Sequence, residues 1–392
     1  MWTFRWLNDE KDLRVVQVDF DKIVNRDGTY SFKYQRYRDK DIIPLWVADS
    51  EFQCAEPIIK ALHDRVEHGV YGYHLPSEYK PANDAVVRWL RDKHDWHIEA
   101  EWIVWTPGVV PAFNVACKAY CEAGDTVLVQ EPNYPPMLAA PELNHLHKET
   151  IDTVLEGERW TLDFAQLEAK AADPKTKLFI MCNPMNPVGS VMTEQELQRV
   201  EEICLKHDVV LCSDEIHCDL ILDENAKHIP AGKLDDIGAK TITLMAASKT
   251  FNVAGLGTSF AIIPDRRVRT KFTRAAAGIV PWVNFMGLVA TEVAFTQCDQ
   301  WHQAQLQYLR SNLDFVEQQV SEIEGLSFIR PQATFLAWID ASGLNQDNVQ
   351  AYMESKGVGP SPGKDFGWPQ FTRINFACRR SLLEQAFARL KG

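Results

Sequence analysis

The sequence predicts an α/β fold: a large domain built on a mixed, mostly parallel sheet covered by helices, joined to a smaller α+β domain. Three observations point there. At 392 residues the chain exceeds one ordinary domain. Short, almost continuously apolar runs rich in β-branched residues recur through its middle, and helical stretches separate several of them. Beyond residue 284 a long helical region precedes a short strand-like stretch and a last helix.

Taken in order, residues 1–50 read as irregular, with Asp27-Gly28 a turn signal. A helix is expected from Glu56, with Pro57 suited to its first turn and Ile58, Ile59, Leu62 and Val66 at helical spacing. A second covers 81–94, with Ala85, Val86, Trp89 and Leu90 on its apolar side. Strands are expected at Thr126-Val127-Leu128-Val129, Leu178-Phe179-Ile180-Met181, Val209-Val210-Leu211-Cys212, Thr241-Ile242-Thr243-Leu244 and Phe260-Ala261-Ile262-Ile263. Thr193 followed by Glu196 is a capping-box signal opening a helix over 193–207. A helical region over 284–323, a stretch over 326–339 and a helix from Ser381 complete the chain. The expected division is a large domain at 51–283 and a smaller one made of 1–50 and 284–392.

Composition narrows the classes of function. The chain is 46% hydrophobic and 24% charged, ordinary for a globular protein. A net charge of −13 argues against a nucleic-acid or anionic-membrane surface. Nine cysteines are scattered without a CxxC pair, which fits a reducing cytosol and no metal framework. Residues 1–6 lead to no apolar core of signal-peptide length, and no window approaches the ~20 apolar residues of a membrane span. A cytoplasmic protein is expected.

Chemistry concentrates at strand ends, where open α/β sheets bind ligands. Lys249 follows the run ending at Ser248; Asp214 ends the run through Cys212; Asn186 lies in Asn183-Pro184-Met185-Asn186-Pro187-Val188-Gly189 after Cys182. Each alone has an ordinary explanation: a solvated lysine, a helix-capping aspartate, a turn asparagine. Together they set an amine, a carboxylate and an amide at three strand ends. A lysine that forms a Schiff base, with an acid facing a pyridinium nitrogen, is the protein's part of pyridoxal phosphate (PLP) chemistry. Thr106-Pro107-Gly108-Val109-Val110-Pro111 offers a turn and a helix start for a phosphate. Tyr134 sits at the same sheet edge. Gly255-Leu256-Gly257 lacks the strand–helix setting of a dinucleotide site.

At this point the chain resembles the fold-type-I, PLP-dependent class I/II aminotransferases, and within them the cystathionine β-lyase-like C–S lyases that include cystalysin. The resemblance runs through Trp46-Val47-Ala48-Asp49, Tyr71-Gly72-Tyr73, the segment at Gly108, Asn183 to Gly189, Ser213-Asp214-Glu215-Ile216-His217, Ser248-Lys249-Thr250-Phe251-Asn252, and Arg373 to Ser381. It implies that Lys249 is the Schiff-base lysine and moves the substrate Cα proton. It implies that Asp214 pairs with the pyridine nitrogen, that Asn186 donates to the phenolic oxygen with His217 close by, and that Tyr134 stacks on the ring. The amides of Gly108, Val109 and Val110, with the Ser248 hydroxyl, would surround the phosphate. Arg373 would clamp the substrate α-carboxylate, and Tyr73 would act across the interface of a homodimer on the neighbouring subunit's phosphate.

Three departures from the family pattern stand out. Ala246 replaces a phosphate-binding serine, which is expected to weaken cofactor retention. Pro135 follows Tyr134 where some C–S lyases have a second tyrosine. Ser50-Glu51 replaces a commoner Met-Asp pair. The implied activity is β-elimination from cystathionine or cysteine-like L-amino acids to pyruvate, ammonia and a thiol. The alternatives are an aminotransferase and a PLP-bound regulatory protein with little turnover. No second arginine for a dicarboxylate side chain stands out in the sequence, which argues against an aspartate-type transaminase.

Overall fold

The computed structural model describes residues 18–234 and 240–392, so the opening residues 1–6 lie outside the described residues. The N-terminal segment contributes strand β1 (Ile43–Pro44). Eight strands then form one sheet: β2 (Ile103–Thr106), β3 (Thr126–Glu131), β4 (His147–Glu156), β5 (Arg159–Leu162), β6 (Thr176–Cys182), β7 (Val210–Asp214), β8 (Thr241–Met245) and β9 (Ser259–Ile262). Their order is β2-β9-β8-β7-β6-β3-β4-β5. The run from β8 to β4 is parallel, whereas β9 lies antiparallel to both neighbours and β5 is antiparallel to β4. The sheet is therefore mixed and mostly parallel. Because β9 reverses direction twice over, β2 points the same way as β8, and the carboxyl ends of β2, β3, β6, β7 and β8 share one edge.

Strand periodicity explains why the central runs are apolar throughout. In β6, Leu178, Ile180 and Cys182 pack on one face with the helix Val109–Tyr120. Phe179 and Met181 pack on the other with the helices Phe164–Ala171 and Glu194–Lys206. The last of these opens with the capping box read from Thr193 and Glu196. Sequence reading did not single out β2, β4 or β5. Residues 148, 150, 152, 154, 155 and 156 of β4 are not buried, so its pattern carries little of the apolar signal that marks its neighbours.

A second, four-stranded antiparallel sheet has the order β10-β11-β14-β13, from β10 (Ser327–Phe328), β11 (Leu336–Asp340), β13 (Ser361–Pro362) and β14 (Phe371–Asn375). Between them, β12 (Val358–Gly359) pairs in parallel with β1 and ties the N-terminal segment to the C-terminal part. The helical region over 284–323 is two helices, Phe285–Gln297 and Asp299–Ser321, interrupted at Cys298. Their buried side chains join those of β11, β14 and the last helix, Arg380–Lys391, in one apolar core. All nine cysteines are free. Among the described residues no helix is long and apolar enough to cross a membrane.

The loop after β6 is pinned by a close approach. Gly189 has φ +75°, and a Cβ there would lie 2.3 Å from Pro331 Cβ. The segment 26–51 is held by buried charge instead. Lys33 is fully buried, with its ammonium 2.7 Å from Glu51 and 3.5 Å from Asp49. Glu51 also meets Arg26 at 3.3 Å and accepts from the Tyr34 hydroxyl at 3.1 Å. Burial works against both charges, but Glu51 and Asp49 hold the Lys33 pKa above its usual value, and Lys33 holds that of Glu51 below.

Breaking such a pair leaves one buried charge unmatched. Lys33→Met is expected to destabilise the protein by about 3 kcal/mol, and Lys33→Met with Glu51→Leu by less than the single change, measured by urea unfolding. Glu51 titrates below its ordinary 4.5 in the folded protein. Its contribution is complete above that pH and is lost as pH falls through the lower folded value, so acid should abolish the difference between parent and Lys33→Met.

Candidate active site

The common edge of β2, β3, β6, β7 and β8 opens into a cavity of about 440 Å³, within the usual size of small-molecule sites. Its wall contains Gly108, Val109, Val110, Tyr134, Asn186, Asp214, His217, Ser248, Lys249 and Arg373. Each arrives by a short route: Gly108 after β2, Tyr134 after β3, Asn186 after β6, Asp214 at the end of β7, Lys249 after β8 and Arg373 within β14. Tyr73 is the exception. It is 100% exposed outside the cavity of its own chain, with its ring 6.4 Å from that of Trp282.

The Lys249 amine donates to Ala48 O at 2.7 Å. Burial, then the charge of Arg373, pull its pKa down to about 8 against the opposite pull of Asp49 and Asp214. A carbonyl orients the amine without supplying a counter-charge, so the neutral, nucleophilic form is accessible near neutrality. Asp214 is buried, and that burial pushes its pKa up to about 7, although the Ile216 N–H at 3.1 Å and Lys249 favour the carboxylate. His217 is buried beside Lys249 and Arg373, which holds it well below its usual pKa and therefore neutral. Its Nδ1 has no partner.

Arg373 is fixed from three sides. Nη1 donates to Asn186 Oδ1 at 2.9 Å, while Nη2 donates to Trp46 O at 2.8 Å and to Ser361 Oγ at 3.1 Å. Its guanidinium lies 4.6 Å from the centre of the Phe366 ring. Nε has no partner among the described residues, and burial pulls the pKa down to about 10. A buried guanidinium held by neutral oxygens, with one donor unused, is built to receive an anion.

These features fit PLP. The buried Asp214 carboxyl, raised by desolvation, would be matched by a protonated pyridine nitrogen. His217, whose Nδ1 has no partner among the described residues, lines the same cavity. The twelve-residue helix Val109–Tyr120 begins at the cavity wall with no side-chain cap, which leaves its first amides and positive dipole end for a phosphate. Ser248 adds a hydroxyl nearby, whereas Ala246 is buried and offers none.

Several contributors were not assigned roles from the sequence. Asn375 shares a face of β14 with Arg373, two residues away, and donates to Val47 O and Asp49 O at 2.6 Å each. Asn252, at φ +56°, donates to Ser50 O at 3.1 Å and Phe52 O at 2.8 Å, pinning the same segment to the lysine turn. The strand period at 373 and 375 was the available signal for the first. The Glu51 departure belongs to the buried Lys33 cluster rather than to the cavity wall. Pro135 opens the helix Pro135–Leu143 and lines the cavity. The expectation of no second arginine is corrected: Arg36 stands in the cavity wall, its guanidinium 4.8 Å from the centre of the Trp46 ring. It escaped notice because the short helix Phe32–Gln35 that presents it carries no apolar periodicity.

Comparison with known proteins agrees with this geometry. Residues 40–390 match the aminotransferase class I and II family. Cystathionine beta-lyase PatB of Bacillus subtilis (strain 168) is 36% identical over 387 residues, 96% of this chain and 99% of its own length. The crystal structure of OvoB shares 41% identity with a TM-score of 0.92, covering 95% of this chain and 98% of that one. Cystalysin from Treponema denticola, whose crystal structure contains pyridoxal 5'-phosphate, shares 31% identity with a TM-score of 0.89, over 95% and 98%. The chain belongs to the class I and II aminotransferase family, with the fold-type-I architecture of its PLP-dependent members.

Proposed function

We propose that the protein is a PLP-dependent carbon–sulfur β-lyase that converts cystathionine or cysteine-like L-amino acids to pyruvate, ammonia and a thiol. The observation that carries the reading is the pairing of Lys249, a base with no counter-ion of its own, with Arg373, a carboxylate clamp. The full-length likeness to cystathionine beta-lyase PatB supports this choice of reaction over transamination.

When bound, the cofactor supplies an electron sink that stabilises negative charge at the substrate Cα. Arg373 receives the α-carboxylate and fixes the orientation of the Cα–H bond. Lys249, held at Ala48 O, attaches the cofactor and then takes the Cα proton. Asp214 retains a proton on the pyridine nitrogen by electrostatic attraction, and neutral His217 adds no competing positive charge. Tyr134 covers the ring and excludes water. Asn186, whose Oδ1 accepts from Arg373, would hold the phenolic side of the cofactor.

The working unit in this proposal is a cytoplasmic homodimer, in which Tyr73 reaches the neighbouring subunit's phosphate. Exposed Val70, Tyr71, Tyr73, Leu75 and Trp282 support it, because exposed apolar side chains of that size commonly mark an interface.

Purified protein supplied with cystathionine and no keto acid is expected to release pyruvate over many turnovers. Conversion that stops after one turnover and restarts only with a keto acid would establish the aminotransferase reading instead. Lys249→Ala should lose covalent retention of PLP, read by borohydride fixation and peptide mapping. In the parent, capture of PLP by the apoprotein should accelerate as pH rises, with a midpoint near 8, where the depressed amine becomes neutral. Asp214→Asn should still bind PLP but lose roughly a hundredfold or more in kcat, and a PLP-loaded variant with near-normal turnover would remove Asp214 from its role.

A further inference from the structure

Arg36 and Asp365 enter the cavity wall without a strong partner. Asp365 has no side-chain hydrogen bond or ion pair among the described residues. The one carboxylate near Arg36 is Glu354 at 3.8 Å, too long for a hydrogen bond, and Arg36 keeps 36% side-chain exposure. Each charge adjoins, in space or in sequence, an aromatic residue that contacts Arg373. Trp46 takes Arg373 on its backbone oxygen at 2.8 Å and carries the Arg36 guanidinium over its ring at 4.8 Å. Asp365 directly precedes Phe366, whose ring lies 4.6 Å from the guanidinium of Arg373. The same wall includes the aromatic side chains of Trp46, Phe366 and Phe32.

We propose that Arg36 and Asp365 form a distal subsite for a zwitterionic α-amino-acid group at the far end of the leaving thiol. The proposal rests on the β-lyase reading and adds a substrate class to it. A thioether such as cystathionine has two charged ends separated by an apolar –CH2–S–CH2– stretch. The aromatic wall suits that stretch, Arg373 takes the near carboxylate, and the outer pair takes both signs of the far end. A simple dicarboxylate would leave Asp365 facing like charge, and an alkyl thioether would leave both groups unused. Arg36 stacked on Trp46 is pre-ordered, so little side-chain freedom is lost when a carboxylate binds.

Four substrates separate the charges: L-cystathionine, S-(2-carboxyethyl)-L-cysteine, S-(2-aminoethyl)-L-cysteine and S-methyl-L-cysteine. In the PLP-loaded enzyme, kcat/KM for the first three is read as a ratio to that for S-methyl-L-cysteine. Arg36→Met, which keeps an apolar stem over Trp46, should lower the carboxyethyl ratio roughly five- to tenfold and spare the aminoethyl ratio. Asp365→Asn should do the reverse, and cystathionine should lose with both. The subsite is overturned if neither ratio moves by more than about twofold, or if both variants shift all ratios alike. If the parent releases no pyruvate from any of the four, the lyase reading falls. The subsite is then decided by the affinities of the same compounds, read from the absorbance of bound PLP, with the same pattern of losses expected and a flat pattern overturning it.

Discussion

Lys249 and the buried Arg373 share one cavity wall, the charge of Arg373 helps to depress the lysine, and neither is paired with a carboxylate among the described residues. Both are held by backbone oxygens of one extended segment, Ala48 O for the amine and Trp46 O for the guanidinium. This is the constraint on which the site depends. A carboxylate in place of those oxygens would raise the lysine pKa and occupy the arginine, removing the accessible neutral amine and the unused guanidinium donor together. Neutral acceptors fix position while preserving reactivity. The cost is that the segment must itself be immobile, because a carbonyl attracts a cation more weakly than an anion does.

The surrounding structure meets that requirement from several directions. Asn375 holds Val47 and Asp49, and Asn252 holds Ser50 and Phe52. The Lys33–Glu51 pair anchors the end of the segment, and the β1–β12 pairing anchors its beginning. Each of these ties uses a different part of the chain. The electrostatics of the opposite wall complement them: Asp214 gains a high pKa from burial, and His217 stays neutral for the same reason. One desolvated pocket thus raises a carboxyl, lowers an amine and keeps an imidazole neutral.

The central strands and most of the cavity wall were legible in the sequence for a physical reason. Parallel strands buried on both faces are apolar throughout, so their ends are sharp, and reactive residues placed just beyond them stand out. Lys249, Asp214 and Asn186 were visible in this way. Strand β4 was not, because its exposed positions carry polar residues. The carbonyls of Trp46 and Ala48 were invisible for a deeper reason: every residue has one, and no side-chain pattern marks the one that is used. Arg36 was missed because its place in the wall depends on a short helix, Phe32–Gln35, and on Trp46 folding back beneath it. The break at Cys298 was hidden by apolar spacing that continues across it.

The β1–β12 pairing also orders events in time. Ile43 and Leu45 donate to the carbonyls of Gly357 and Gly359, and Asn375 donates through its backbone to Leu45. The segment that carries Trp46 and Ala48 emerges early from the ribosome, but the strands that hold it are among the last made. A nascent chain that has completed the eight-stranded sheet already owns Lys249, Asp214 and the uncapped helix start at Val109. It lacks the support that turns those groups into a site. The support for the lysine and the arginine is therefore supplied by strands that follow both the sheet and Lys249 in the chain.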